Sequence, residues 1–82
     1  MKNREEIFEV LKTYLMEDFE IEAGSVTLDA DLAEDLDLDS IDAVDLVVKF
    51  QKLIGKRIPA EEFKTVRTVG DVVERVYENI SR

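Results

Sequence analysis

Apolar residues recur along this chain with changing rhythm, and the changes separate helical segments from a long irregular one. Ile7, Phe8, Val10, Leu11, Tyr14, Leu15 and Phe19 fall mostly on one broad stripe when successive positions are turned by about 100°. Asn3 and Glu6 precede them at the spacing of a capping pair. Together these positions predict a first helix over 4 to 18. Over 20 to 38 the period is lost: Gly24 and Ser25 mark a turn, and Val26, Leu28, Leu32, Leu36 and Leu38 recur irregularly among acids. A long loop pinned to the core by its leucines is expected there, and loops of that length in compact domains usually serve a function.

Helical periodicity returns over 40 to 54, with Asp39 placed as N-cap, Asp42 in the first turn and Gly55 as the stop. On that helix Ala43, Leu46, Val47, Phe50, Leu53 and Ile54 gather on one side as a core face, while Ile41, Val44 and Val48 gather opposite. A domain this small cannot cover a helix on both sides, so those three are expected to face solvent beside Asp42 and Asp45. An apolar strip rimmed by carboxylates is the pattern of a docking surface. Pro59 sits at a first helical position, predicting a short third helix over 60 to 66 that packs Phe63 and Val66. Thr68 and Asp71 form another capping pair, and Val69, Val72, Val73, Val76, Tyr77 and Ile80 share one arc of a final helix. The sum is an all-α fold: a four-helix bundle with a long loop between helices one and two and a short third helix.

Composition narrows what such a bundle does. With 82 residues, one domain over 1–82 is expected, and with neither cysteine nor histidine it has no disulfide and no Cys/His metal site. Hydrophobic residues at 45%, with only three glycines and one proline, favour a packed domain over a disordered one. No apolar run approaches the roughly 20 residues of a membrane span, and residues 1 to 4 lead straight into an amphipathic segment, so a cytoplasmic setting is expected. The net charge of −9 is unevenly placed: no Lys or Arg occurs between Lys12 and Lys49, where twelve of the twenty acids lie. Such a field repels nucleic acid and attracts basic protein surfaces, although a merely solvated acidic face is the plainer account. After Asp45 the sign reverses, through Lys49, Lys52, Lys56 and Arg57.

The alternating acids Asp35, Asp37 and Asp39 open like a calcium-binding EF-hand loop, but Ser40 stands where that loop needs glycine and Leu46 where it needs a bidentate glutamate. Ser40 is not expected to be a hydrolase nucleophile either: the chain has no histidine to activate it, and a Ser–Lys pair, though conceivable, lacks a supporting oxyanion-hole motif. Taken alone, Ser40 is best explained as part of a helix cap.

The stretch Glu34-Asp35-Leu36-Asp37-Leu38-Asp39-Ser40-Ile41-Asp42-Ala43-Val44-Asp45-Leu46-Val47 resembles the acyl carrier protein family, whose hallmark is Asp-Ser-Leu before an acidic helix. Ile58-Pro59, Glu61-Glu62 and Thr68-Val69-Gly70-Asp71 resemble that family's later segments, so the likeness covers nearly the whole chain and is weakest over 1 to 25. The resemblance implies that Ser40 receives 4′-phosphopantetheine from coenzyme A through a phosphopantetheinyl transferase, making the chain a non-catalytic carrier of acyl groups as thioesters. It places Asp39, Ile41, Asp42, Val44, Asp45 and Val48 on the face read by acyl-transferring and synthase enzymes with basic docking surfaces. It also suggests an acyl pocket near Leu46, Phe50, Ile58, Phe63 and Val66, residues for which ordinary core packing is an equal explanation. A serine at a helix start would hold the phosphodiester near unpaired backbone N–H groups, with Asp39 and Asp42 driving the arm outward. A monomer in fatty-acid, polyketide or related synthesis is expected. An aminoacyl or D-alanyl carrier with the same arm, or an unmodified helical adaptor for basic partners, stays open.

Three features depart from the family pattern. Asp37 stands where many relatives have glycine, and Asp tolerates the left-handed backbone such a turn needs. The second half of the recognition helix is basic. Phe63 replaces a small residue, which points to a specialised carrier.

Overall fold

The structure, a computed structural model, describes residues 3–63 and 65–81, with the backbone alone for Ser40, Ala60 and Glu62. Helix α1, Arg4–Asp18, starts where Asn3 accepts the Glu6 N–H at 2.9 Å, with Glu5 and Glu6 complementing the dipole. Ile7, Leu11 and Leu15, each 0% exposed, form its buried edge. Each such side chain contributes about 1.5–3 kcal/mol relative to exposure. The helix ends as Glu20 turns left-handed at φ +57° and the Ile21 N–H reaches back to the Leu15 carbonyl at 3.2 Å.

The loop to the next helix contains one 3-10 turn, Ala23–Ser25, and buries Val26, Ala30, Leu32, Leu36 and Leu38 as anchors. Leu28 does not join them: its side chain is 54% exposed, and its backbone makes the attachment. The Leu28 carbonyl accepts the Gly70 N–H at 2.9 Å, an approach so close that a Cβ on Gly70 would lie 3.0 Å from that oxygen. Ala30 accepts from the Val69 N–H at 3.0 Å and the Leu32 N–H donates to Arg67 at 2.8 Å, around an antiparallel bridge between Asp31 and Thr68. The loop is thereby stitched to the start of the last helix.

Helix α2 runs Ser40–Ile54 and stops at Gly55, left-handed at φ +69°. Helix α3, Val69–Ile80, opens on a capping box between Thr68 and Asp71 and packs along α1 through Val69, Val72, Val73 and Val76. Between them, Ala60–Phe63 forms a single 3-10 turn in place of the short third helix expected over 60 to 66, a span that includes Lys64 outside the described residues. Among the described residues every regular element is helical, as the periodicity predicts.

Phe50 lies at the centre, fully buried, with the Tyr14 ring edge-on at 5.5 Å. Leu53, assigned above to the core face, is 53% exposed. It falls at the margin of the apolar arc, beside Lys49, whereas Ile54, nearer the middle of that arc, packs against the core. Among the described residues no helix is long and apolar enough to cross a membrane.

Candidate functional site

Three consecutive features of the sequence fix where α2 begins. Asp37 adopts φ +56°, the left-handed geometry expected for the residue in the glycine position. Leu38, 8% exposed, anchors the chain as its N–H donates to the Leu32 carbonyl at 2.8 Å. Asp39 then caps the helix: its Oδ1 accepts the N–H groups of Ile41 and Asp42, both at 3.0 Å, while Asp42 Oδ2 accepts the Asp39 N–H at 3.2 Å. Ser40 is the first residue of the helix, between an exposed Asp39 and an Ile41 that is 72% exposed. Its two sequence neighbours are thus open to an approaching enzyme.

This geometry corrects one sequence expectation. The first-turn N–H groups of Ile41 and Asp42 are already occupied by Asp39, so a phosphodiester on Ser40 would find the positive end of the helix dipole but not these two donors. The carboxylates of Asp39 and Asp42 meanwhile repel it. An added group would therefore be held by its covalent bond and directed away from the helix, which suits an extended arm. The chain has no histidine to serve as the usual activating base for a serine nucleophile.

Along the outer face of α2, Val44 is 49% exposed and Val48 42% exposed, continuing the strip that Ile41 begins, with Asp45 exposed among them. Asp42 is half-buried by its part in the capping box. Lys49 does not belong to this outer strip: it pairs with Asp18 of α1 and lies 5.5 Å from the Tyr14 ring centroid, closing the seam between α1 and α2. The basic second half of the helix thus contains at least one cation with a structural task.

Beside the start of α2 an open groove of about 670 Å³ runs past Asp39, Ala43, Val44, Val47, Phe63 and Val66, with Asp31, Glu34 and Arg67 at its edge. Beneath it lies an apolar cavity of about 20 Å³, room for roughly one water, touched by Leu46, Phe50, Phe63 and Val66. Of the five pocket candidates these four come together there, while Ile58, 1% exposed, is core and lines neither space. Leu32, Leu38, Ala43, Val47 and Val72 also line the cavity, and the sequence placed them in the loop or core and not in a pocket. Ala43 alone left a signal, a small residue on a face of large ones.

Comparison with known proteins decides what kind of chain this is. A family model described as "Phosphopantetheine attachment site" matches residues 9–76. Acyl carrier protein 2 of Ralstonia nicotianae is 55% identical over 71 residues, covering 87% of this chain and 88% of that protein. The chain belongs to the acyl carrier protein family. An acyl carrier protein of Saccharopolyspora erythraea is 38% identical over 80 residues, covering 98% of this chain and 84% of that one. The solved acyl carrier protein from Enterococcus faecalis superposes with a TM-score of 0.75 at 30% identity, covering 94% and 98% of the two chains. Acyl carrier proteins are non-catalytic carriers with a covalently attached 4′-phosphopantetheine group, and they work with transferase and synthase enzymes. This acyl carrier protein has no cysteine, so the reactive sulfur is the one brought in on the arm.

Proposed function

We propose that this acyl carrier protein bears its arm on Ser40 and serves fatty-acid, polyketide or a related specialised synthesis as a cytoplasmic monomer. The supporting observation is the place of Ser40: first residue of α2, in the sequence Asp39-Ser40-Ile41-Asp42, at an exposed helix start whose neighbouring N–H groups are already capped. When bound, the arm supplies a terminal thiol on which acyl groups ride as thioesters.

The chain's own residues do the rest. Asp39 and Asp42 fix the helix start and push an anionic attachment outward. Ile41, Val44 and Val48, rimmed by Asp39 and Asp45, offer partner enzymes apolar contact and a charge that speeds encounter with basic surfaces. Leu46, Phe50, Phe63 and Val66 form the apolar wall against which a short cargo can rest, with the Phe63 ring limiting its depth.

The test is to incubate unmodified protein with coenzyme A and a broad-specificity phosphopantetheinyl transferase and weigh the product. A mass gain of one phosphopantetheine arm, abolished by Ser40→Ala, is expected. No gain, or a gain that survives the substitution, contradicts the assignment. Loading the holo protein with acyl and aminoacyl ligases then separates an acyl carrier from an aminoacyl or D-alanyl carrier.

A further inference from the structure

We propose that enzymes acting at Ser40 dock on α2 with a surface of two charge signs, a basic patch opposite Asp39 and Asp45 and an acidic patch opposite Lys52. This rests on the carrier reading above and names the partner surface that it requires. Ile41, Val44, Asp45, Val48 and Lys52 lie within about 100° of helical arc, and all five are exposed. The outer strip therefore continues past Val48 to Lys52, and its charge inverts on the way, from carboxylate at Asp45 to ammonium at Lys52, about 10 Å apart along the axis.

The two cations of α2 have different surroundings. Lys49 is paired with Asp18, whereas no carboxylate among the described residues pairs with Lys52. Lys56 and Arg57, both exposed, carry the same sign past the helix end. Lys52 lies about 18 Å from Ser40 along the axis. A standard interface covers about 800 Å² per partner, a patch roughly 30 Å across, so an enzyme seated over Ser40 and the apolar strip also covers Lys52.

A uniformly basic dock would set like charges against Lys52. An acidic patch at that place attracts it and also fixes which way round the helix binds, which discriminates among partners. A second copy of the chain, laid antiparallel, could match the same pattern. Two molecules of net charge −9 repel each other, however, which favours an enzyme as the occupant.

The probe is the phosphopantetheinyl transferase of the chain's own host, assayed with coenzyme A at low and physiological salt. Lys52→Glu is expected to raise KM for the carrier about tenfold with kcat little changed, Lys52→Gln to raise it less, and Lys52→Arg to restore it; the effect fades as salt rises. Melting curves of the variants confirm that this exposed position leaves the fold intact. An unchanged KM in Lys52→Glu overturns the proposal, and a lowered KM does so by revealing a uniformly basic dock. If the unsubstituted protein accepts no arm, the carrier reading itself fails. If sedimentation shows a low-salt dimer that Lys52→Glu abolishes, a second copy covers this face and the enzyme dock is overturned.

Discussion

Asp37 shows how a single backbone angle governs the site. At φ +56° it turns the chain into the cap of α2, and a non-glycine side chain there costs about 1–2 kcal/mol unless, like Asp, it is short and polar. Asp37→Val should lower stability by about that amount in urea unfolding, whereas Asp37→Gly, trading strain for chain entropy, should stay within about 0.5 kcal/mol of the parent. Asp71 governs the start of α3 in another way. The backbone N–H of Arg67, 3.0 Å from Asp71 Oδ2, holds its carboxyl below the ordinary 3.8, helped by the Thr68 N–H and hydroxyl and by Arg75, with burial opposing. A carboxyl depressed in the folded state stabilises at pH above its unfolded value, and that contribution is lost as pH falls through the folded value. The stability gap between the parent and Asp71→Asn, measured by urea unfolding over a pH series, should therefore be present at neutral pH and close only as pH falls below the ordinary carboxylate range. Asp71 is exposed, so the gap is small. The Thr68–Asp71 cap was legible in the sequence, because a cap and its partner are only three residues apart, and Asp37 was legible as the residue in a glycine position. The occupation of the Ile41 and Asp42 N–H groups was not, since it depends on which way the Asp39 carboxylate turns.

The three α-helices were legible from their periodicity, and their ends from caps and from Gly55. The short third helix was overestimated: Pro59 opens a helical turn, but the apolar pattern of Phe63 and Val66 is too brief to distinguish one 3-10 turn from two helical turns. The loop's attachment to α3 left little trace, because its hydrogen bonds join positions about forty residues apart and use backbone atoms that carry no sequence label. Gly70 is the exception, a glycine inside a helix where a close approach requires it. Gly70→Ala should lower stability by about 1 kcal/mol despite the better helix propensity of Ala, because the Cβ crowds the Leu28 carbonyl. A urea midpoint shifted upward would show that the loop can give way. At the α1–α2 seam, Lys49→Gln removes the Asp18 ion pair and the contact with Tyr14. A loss of about 0.5–1 kcal/mol, smaller at high salt, is expected from thermal unfolding at two ionic strengths.

Across the whole molecule, charge is the organising quantity. The acids between Lys12 and Lys49 are not all free to serve partners: Asp31 Oδ1 accepts the N–H groups of Ala33 and Glu34, and Asp35 Oδ2 accepts that of Asp31. The remainder still repel one another, so sodium chloride or divalent cations should raise the melting temperature, and a melting temperature indifferent to both would contradict this account. The outer strip of α2 could be read from spacing alone, since exposure on a lone helix follows the wheel. The groove and cavity could not, because Leu32, Leu38 and Val72 reach them from a loop and another helix. The central claim, the arm on Ser40, is tested most directly by peptide mapping of the protein purified from its own host. The chain has three serines, Ser25, Ser40 and Ser81, so the modified peptide identifies the site. The account predicts phosphopantetheine on the peptide containing Ser40 and on neither of the others. An arm found elsewhere, or a native protein that never carries one, would contradict it.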